Sequence, residues 1–390
     1  MRILVALARF VLGGTETYSA TVAEQLERLG HTVTVHAAEA NTNGRELAAS
    51  RGLRMTVGEP PKLDEVDAIL VQDAASAYML AGRRAGLPLV FASHGFAAFE
   101  HPPGGLQPSP TLVVLNDRVA RHAAALASRP TVVRLRQPID IERFRPRGAS
   151  RRRARRVLLA SNYLHGARLR ILEEVCGDLG LELVQLGAPS TPTVEPEAAL
   201  ADADIVVGYG RSVLEGMAMG RAAYVWDYAG GDGWVTPESY PALEADGFSG
   251  AATDAIIDAD RLRADFAGYR PELGALGFDL VRTHHSATEH AEALVEVLGG
   301  ASAPASEDVL ETLALLVRAE YRAAVRAEGL EYETRRLLKE REAQRARADA
   351  AEAQRARADA AEAQLDTLLR SRSWRLAAPL RRARALLSRR

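Results

Sequence analysis

The chain has 390 residues, of which 47 % are hydrophobic and 26 % charged, with a formal net charge of −2. That length admits two or three folding units, and the composition excludes wholesale disorder and a strongly basic body built to bind nucleic acid. The charge is nevertheless uneven: residues 301–390 carry 19 basic and 14 acidic side chains, whereas residues 1–300 carry 30 and 37.

Residues 2–8 read as a buried strand. Their apolar run is too short for a signal-peptide core with a cleavage site, and no run of about 18 apolar residues follows anywhere. The expected location is therefore the cytoplasm. The pair Gly13-Gly14 leads into a helical pattern over 15–29, with Tyr18, Val22, Leu26 and Leu29 on one face and Gly30 as its stop. A strand over 32–37 completes a βαβ unit, which should be parallel and right-handed. Strands over 68–72, 89–93, 111–115 and 131–135 alternate with helices over 74–85 and 117–126, the pattern of a doubly wound parallel sheet.

Residues 144–156 hold Pro146, Gly148 and five arginines between Arg151 and Arg156, and read as a solvated linker. The alternation restarts with strands over 156–161, 182–186, 205–208 and 222–227 and helices over 167–179, 196–201 and 212–219, ending in a helix over 286–298. The one cysteine, Cys176, excludes an intrachain disulfide and lies in an apolar helical pattern, where a buried inert thiol is expected. The expected organisation is a first α/β domain over 1–145, a linker over 146–156 and a second α/β domain over 157–300. A long helix over 301–369 and a basic tail over 370–390 complete it.

The helical pattern from 306 to 369 contains AQRARADAAE at 343–352 and again at 353–362. A period of ten sustains no supercoil seam, so this stretch suits a spacer. Leu330, Leu337 and Leu338 offer a better coiled-coil pairing surface, and self-association through 306–369 is one of two open readings. In 370–390, eight arginines and no acid surround Trp374, Leu376, Leu380, Ala383 and Leu387. Such a basic amphipathic segment suits an anionic membrane surface, or a partner helix with its charges solvated.

Chemistry-bearing residues gather at the ends of predicted strands, and two tandem parallel sheets put a ligand cleft between those ends. Gly13 and Gly14 allow close backbone approach at a helix start, where free N–H groups suit an anion; taken alone, they are equally a structural turn. No dinucleotide fingerprint is present. Tyr209, Gly210 and Arg211 lead from a strand into a helix beginning at Ser212, so the helix N-terminus and the Arg211 guanidinium suit a diphosphate. Glu215, one turn in, can accept hydrogen bonds from ribose hydroxyls, or can be a first-turn acid favoured by the helix dipole. His94 ends a strand and should face the cleft. The loop 230–234, with Gly231 and Asp232, suits sugar hydroxyls or is a turn packed by Trp234. The remaining histidines show no metal-ligand spacing, and no metal is expected.

Three segments resemble family-4-type retaining glycosyltransferases of the GT-B fold: GGTETYSATVAEQLERLGHTVTVHA (13–37), RQPIDIERFRP (136–146) and SVLEGMAMGRAAYVWDY (212–228). The resemblance covers about residues 1–300 and implies two Rossmann-like domains in tandem, followed here by the helical extension. It implies a nucleotide-diphosphate-sugar donor, no cofactor, transfer with retention, and a glycan or lipid-linked acceptor. It makes His94 and Glu215 the candidate catalytic residues. The candidate donor-binding set is Gly13, Gly14, Tyr209, Gly210, Arg211, Ser212 and Glu215, with Arg168 or His165 as a substitute for the family's donor-site cations and Gly231 and Asp232 added from the 230–234 loop. Val207 stands where the family has the first of two glutamates, and the family's donor-site lysine has no counterpart in 160–168. SRSWRLAAPLR (371–381) is similar to the end segments of bacterial surface-polysaccharide transferases, which implies a place at the inner face of the membrane. The alternatives are a nucleotide-sugar epimerase of the same fold, and a catalytically degenerate body serving assembly or membrane recruitment.

Overall fold

Strand β1 (Arg2–Phe10) is apolar at nearly every position and is buried on both faces, as the centre of a parallel sheet must be. In this computed structural model, residues 1–370 are described apart from Gly82, Arg84, Ala85, Pro103, Gly104, Ala127, 188–190, Asp254 and 305–308. The chain divides into two compact units, Met1–Ala319 and Glu320–Arg390.

In chain order the first sheet comprises β1, β2 (Thr32–Ala40), β3 (Met55–Val57), β4 (Ala68–Val71), β5 (Leu89–Ser93), β6 (Thr111–Val114) and β7 (Val132–Arg134). Their spatial order is β3-β2-β1-β4-β5-β6-β7, with every pairing parallel. The order reverses between β1 and β4, which opens a crevice at the strand C-termini. Helices α1 (Gly14–Arg28), α2 (Thr42–Ser50), α3 (Ala74–Ala81) and α4 (Asp117–Ala124) connect the strands.

The second sheet comprises β8 (Arg156–Ala160), β9 (Glu182–Leu186), β10 (Ile205–Gly208), β11 (Ala222–Asp227) and β12 (Gly230–Trp234), in the order β12-β11-β10-β8-β9. All its pairings are parallel except β11 with β12. The predicted loop 230–234 is thus an antiparallel edge strand. Gly231 permits it, because a side chain there would run into Trp226 and Ile257. The helices are α5 (Gly166–Asp178), α6 (Glu197–Asp202), α7 (Arg211–Ala218), α8 (Tyr240–Asp246), α9 (Ala259–Ala267), α10 (Glu272–His284) and α11 (Ala287–Gly300). Cys176 lies buried in α5, where burial pushes its thiol up to about 12.

Sequence order places α11 with the second sheet, yet its apolar face belongs to the first. Ala291, Leu294 and Leu298 are fully buried in one cluster with Val5, Tyr18, Val22 and Leu26. The chain therefore crosses between the sheets twice, through 135–156 and again before α11. Burying each of those leucines contributes roughly 1.5–3 kcal/mol, which ties the two domains into one body.

The last helix, α12 (Val309–Arg370), starts with Leu313 and Val317 packed on the other face of the first sheet. Within it, 351–364 are exposed. The tail 371–390, and the side chains of Leu330, Leu337 and Leu338, lie outside the described residues. Among the described residues no helix is long and apolar enough to cross a membrane.

Candidate active site

Strand β10 and helix α7 are joined by two residues, Tyr209 and Gly210. Gly210 takes φ +55°, in the left-handed region, and its N–H donates to Phe248 O at 2.8 Å, so this sharp turn requires glycine. Helix α7 presents its first N–H groups, from Arg211 and Ser212, at the C-terminal edge of the sheet, with the positive end of its dipole outward. Gly216 brings this helix against β10: a Cβ there would lie 2.9 Å from Val206. Val207 is fully buried inside the sheet core with Leu172 and Tyr224, so a carboxylate at that position would be stranded among apolar groups.

Three tyrosines from three strand ends ring the same edge. Tyr163 follows β8, Tyr209 follows β10 and Tyr228 follows β11, with centroids 5.2–5.8 Å apart. Tyr163 and Tyr228 are about half exposed, at 48 % and 56 %. The rings meet one another edge-on or tilted, not face to face. Among their supports Asp227 is buried, and Ser161 and Arg168 are half-buried. Ser161 Oγ accepts the Tyr163 and Leu164 N–H groups, and its hydroxyl bonds Asp227. Asp227 accepts the Tyr228 N–H at 2.6 Å, and burial raises its carboxyl above the usual range. Arg168 donates to the carbonyls of Asp227 (2.7 Å) and Tyr228, so it frames the Tyr228 loop instead of offering a free cation.

Arg211 is likewise engaged. Its Nε donates to Glu215 Oε1 at 2.7 Å, one Nη to Pro138 O at 2.9 Å and the other to Thr21 Oγ1 at 2.9 Å. It therefore spans from the second domain to α1 and the linker. Asp232 does not reach this edge with a free carboxylate: Oδ1 accepts from Thr253 N–H and Oγ1, both at 2.8 Å, and Oδ2 from Ala252 N–H.

On the facing domain, the Gly13-Gly14 turn covers a carboxylate of the chain itself. The Glu16 carboxylate lies near its own backbone N–H and that of Val11, and a Cβ on Gly13 would sit 2.7 Å from its Oε2. The anion expected at this helix start is supplied from within. Burial, with Asp73 nearby, pushes Glu16 up to about 7 against the pull of those N–H groups and Arg9. His94 follows β5 as predicted. Its Nε2 lies 2.7 Å from Gln72 Oε1, and its ring meets Tyr18 edge-on at 4.8 Å. Burial and the neighbouring His290 lower it to about 3.

Two histidines hold consecutive carbonyls of the linker. His290 Nδ1–H donates to Arg136 O (2.8 Å) and its Nε2 accepts the Tyr18 hydroxyl (3.1 Å). His285 Nδ1–H donates to Gln137 O (2.8 Å) and its Nε2 accepts the Tyr240 hydroxyl (2.9 Å). Just beyond, Asp140, buried in the resembling segment 136–146, accepts from Arg28, Gln25 and the N–H groups of Glu142 and Arg143. A cavity of about 460 Å³ beside this hinge is lined by Asp117, Arg134, Arg136, Glu244 and His290. Both of its arginines are ion-paired with Glu244. No group of three or more metal-ligating side chains occurs among the described residues.

The structure thus brings Tyr209, Gly210, Arg211, Ser212 and Glu215 together, and sets Gly13, Gly14 and His94 on the opposing domain. Arg168, Gly231 and Asp232 serve packing and loop support. Tyr163 and Tyr228 are missing from the sequence-based set. The signal available for them was their place directly after predicted strands, shared with Tyr209.

No protein-family model matches the sequence, and no curated protein matches it. Solved structures do. A glycosyltransferase from Rickettsia africae aligns with TM-score 0.53 and 14 % identity over 76 % of this chain and 97 % of that one. HepE from Anabaena, solved in complex with UDP and glucose, aligns with TM-score 0.51 and 11 % identity over 76 % of this chain and 99 % of its own. At such identities the likeness establishes the fold. The chain has the GT-B arrangement of two parallel-sheet domains.

Proposed function

We propose that the chain is a glycosyltransferase that moves a sugar from a nucleoside-diphosphate donor to an acceptor hydroxyl with retention of configuration. The observation that carries this reading is the convergence, at one sheet edge, of the α7 N-terminus, Glu215 one turn inside it and the three tyrosines. The base stacks among Tyr163, Tyr209 and Tyr228, Glu215 accepts from the ribose hydroxyls, and the diphosphate sits on the Arg211 and Ser212 N–H groups. HepE, of the same fold, holds UDP and glucose, which supports this class of donor. In the retaining route the leaving phosphate oxygen assists the incoming hydroxyl on the same face, so positioning and charge stabilisation supply most of the rate. The reading assigns no metal or other cofactor. Its acceptor is a glycan or a lipid-linked glycan of a bacterial surface polysaccharide. The tail 370–390 lies at the anionic inner face of the cell membrane, and pairing of copies is assigned to Leu330, Leu337 and Leu338 of the long helix, with the repeat 343–362 as a spacer.

The test is calorimetric titration of the full chain with UDP, GDP and ADP. One base should bind selectively, and Glu215→Ala should weaken it about tenfold, equivalent to ~1.4 kcal/mol of lost hydrogen bonding. Failure of all three to bind would overturn the reading. A second reading, a degenerate transferase body used for assembly or membrane recruitment, draws on the engagement of both Arg168 and Arg211 by protein groups. It expects Glu215→Ala to keep its cellular role, whereas a transferase loses it.

A further inference from the structure

Helix α7 starts without a side-chain cap: its N-cap residue is Gly210, whose backbone N–H donates to Phe248 O at 2.8 Å. The direction of the first α7 N–H groups therefore depends on where the Phe248 carbonyl points. Phe248 takes φ +55°, in the left-handed region that a bulky side chain rarely enters, with its ring buried beside Tyr240 and His285. Such a conformation persists where the surrounding groups over-determine it. One buried carboxylate does so here. Asp246 Oδ2 accepts the Ser249 N–H at 3.0 Å, the Ser249 hydroxyl at 2.6 Å and the Ala251 N–H at 3.3 Å, which closes 247–251 into a turn. Its Oδ1 meets Arg118 Nε of the first domain at 3.4 Å, so both oxygens are committed to protein groups.

We propose that Asp246 is a positioning residue: by closing the turn 247–251 it fixes the Phe248 carbonyl on the Gly210 N–H, and so aims the start of α7 at the donor diphosphate. The phosphate half of this inference rests on the glycosyltransferase reading and adds no site to it; the turn half stands on the hydrogen bonds alone. In that reading the base and ribose are held by the tyrosines and by Glu215, one turn further in, where Gly216 packs α7 on Val206. Loss of Asp246 is therefore felt at the phosphates and not at the nucleoside.

Amide hydrogen exchange of the full chain reads the turn half. Asp246→Ala should speed exchange at Gly210 roughly tenfold while the amides of β10 and β11 keep their protection. Unchanged exchange at Gly210, or equal acceleration through β10 and β11, would overturn the proposal. Asp246→Asn keeps an acceptor oxygen for the turn and should behave as the wild type; a change equal to that of Asp246→Ala counts against the turn. Calorimetric titration with UDP, GDP and ADP, and competition by uridine, guanosine and adenosine, reads the phosphate half. Asp246→Ala should weaken the diphosphate that binds by roughly tenfold and leave its nucleoside unchanged. Equal weakening of both, or an unchanged diphosphate, sinks that half. If no nucleoside diphosphate binds the wild type, the glycosyltransferase reading falls and takes the phosphate half with it, while exchange at Gly210 still decides the turn half.

Discussion

Glu16 is a carboxylate buried at a helix start, only 7 % exposed, with its proton held to about pH 7 by lost hydration. Its folded pKa lies above the ordinary value of 4.5, so its stability contribution is complete below pH 4.5 and is lost as pH rises through 7. The full shift corresponds to roughly 3 kcal/mol at most. Glu16→Gln removes the charge and keeps an amide oxygen beside the nearby N–H groups of Val11 and residue 16. Thermal denaturation should therefore show the variant gaining on the wild type from pH 5 to pH 8, with no gain at pH 4.5. An equal difference at both ends would refute the assignment. Glycine choices at this scale are also spatial: at Gly216 helix α7 lies too close to Val206 for a Cβ.

The linker between the sheets is a short element whose start is held by two histidines, His285 after α10 and His290 in α11. Arg136 O and Gln137 O are each taken by a histidine Nδ1–H, and each histidine is oriented by a tyrosine, Tyr18 from the first domain and Tyr240 from the second. Burial lowers His285 to about 3 and His290 to about 4. Both contributions are present above pH 6.5 and are lost as pH falls toward those values, because the unfolded chain takes up protons first. Tyr240→Phe strips the donor from His285 Nε2 and leaves a buried acceptor unpaired, a loss of about 1–3 kcal/mol. Urea unfolding at pH 7 should show that loss, and the deficit should persist at pH 8, where both histidines are neutral in either state.

At the scale of the molecule, ion pairs across the cleft hold the two domains. Arg134 donates to both oxygens of Glu244 at 2.6 and 2.7 Å and to Asp117 at 2.8 Å, with Glu244 only 8 % exposed. Arg118 meets Asp246 at 3.4 Å, and Arg211 reaches Thr21. Arg134→Met leaves the Glu244 carboxylate buried beside Arg136 alone. Denaturant unfolding should record a loss on the order of 3 kcal/mol, and small-angle scattering a larger radius of gyration as the cleft opens. A variant as compact and stable as the wild type would show that these pairs do not hold the domains together.

Much of this was legible in the sequence. Strand and helix alternation follows from local periodicity, so both sheets, the place of α7, and the cluster from Tyr209 to Glu215 could be read within a dozen residues. Buried Val207 and Cys176 follow in the same way, since an apolar repeat fixes which residues face inward. Only the tertiary structure decided where long side chains spend their hydrogen bonds. Arg211 meets Thr21 across 190 residues, Arg168 turns to the carbonyls after β11, Glu16 fills its own helix start, and α11 returns to the first sheet. Tyr163, Tyr209 and Tyr228 come together for the same reason. Backbone period is a property of neighbours in sequence, whereas the partner of a charge or a ring is whatever group the folded strands bring within a few ångströms.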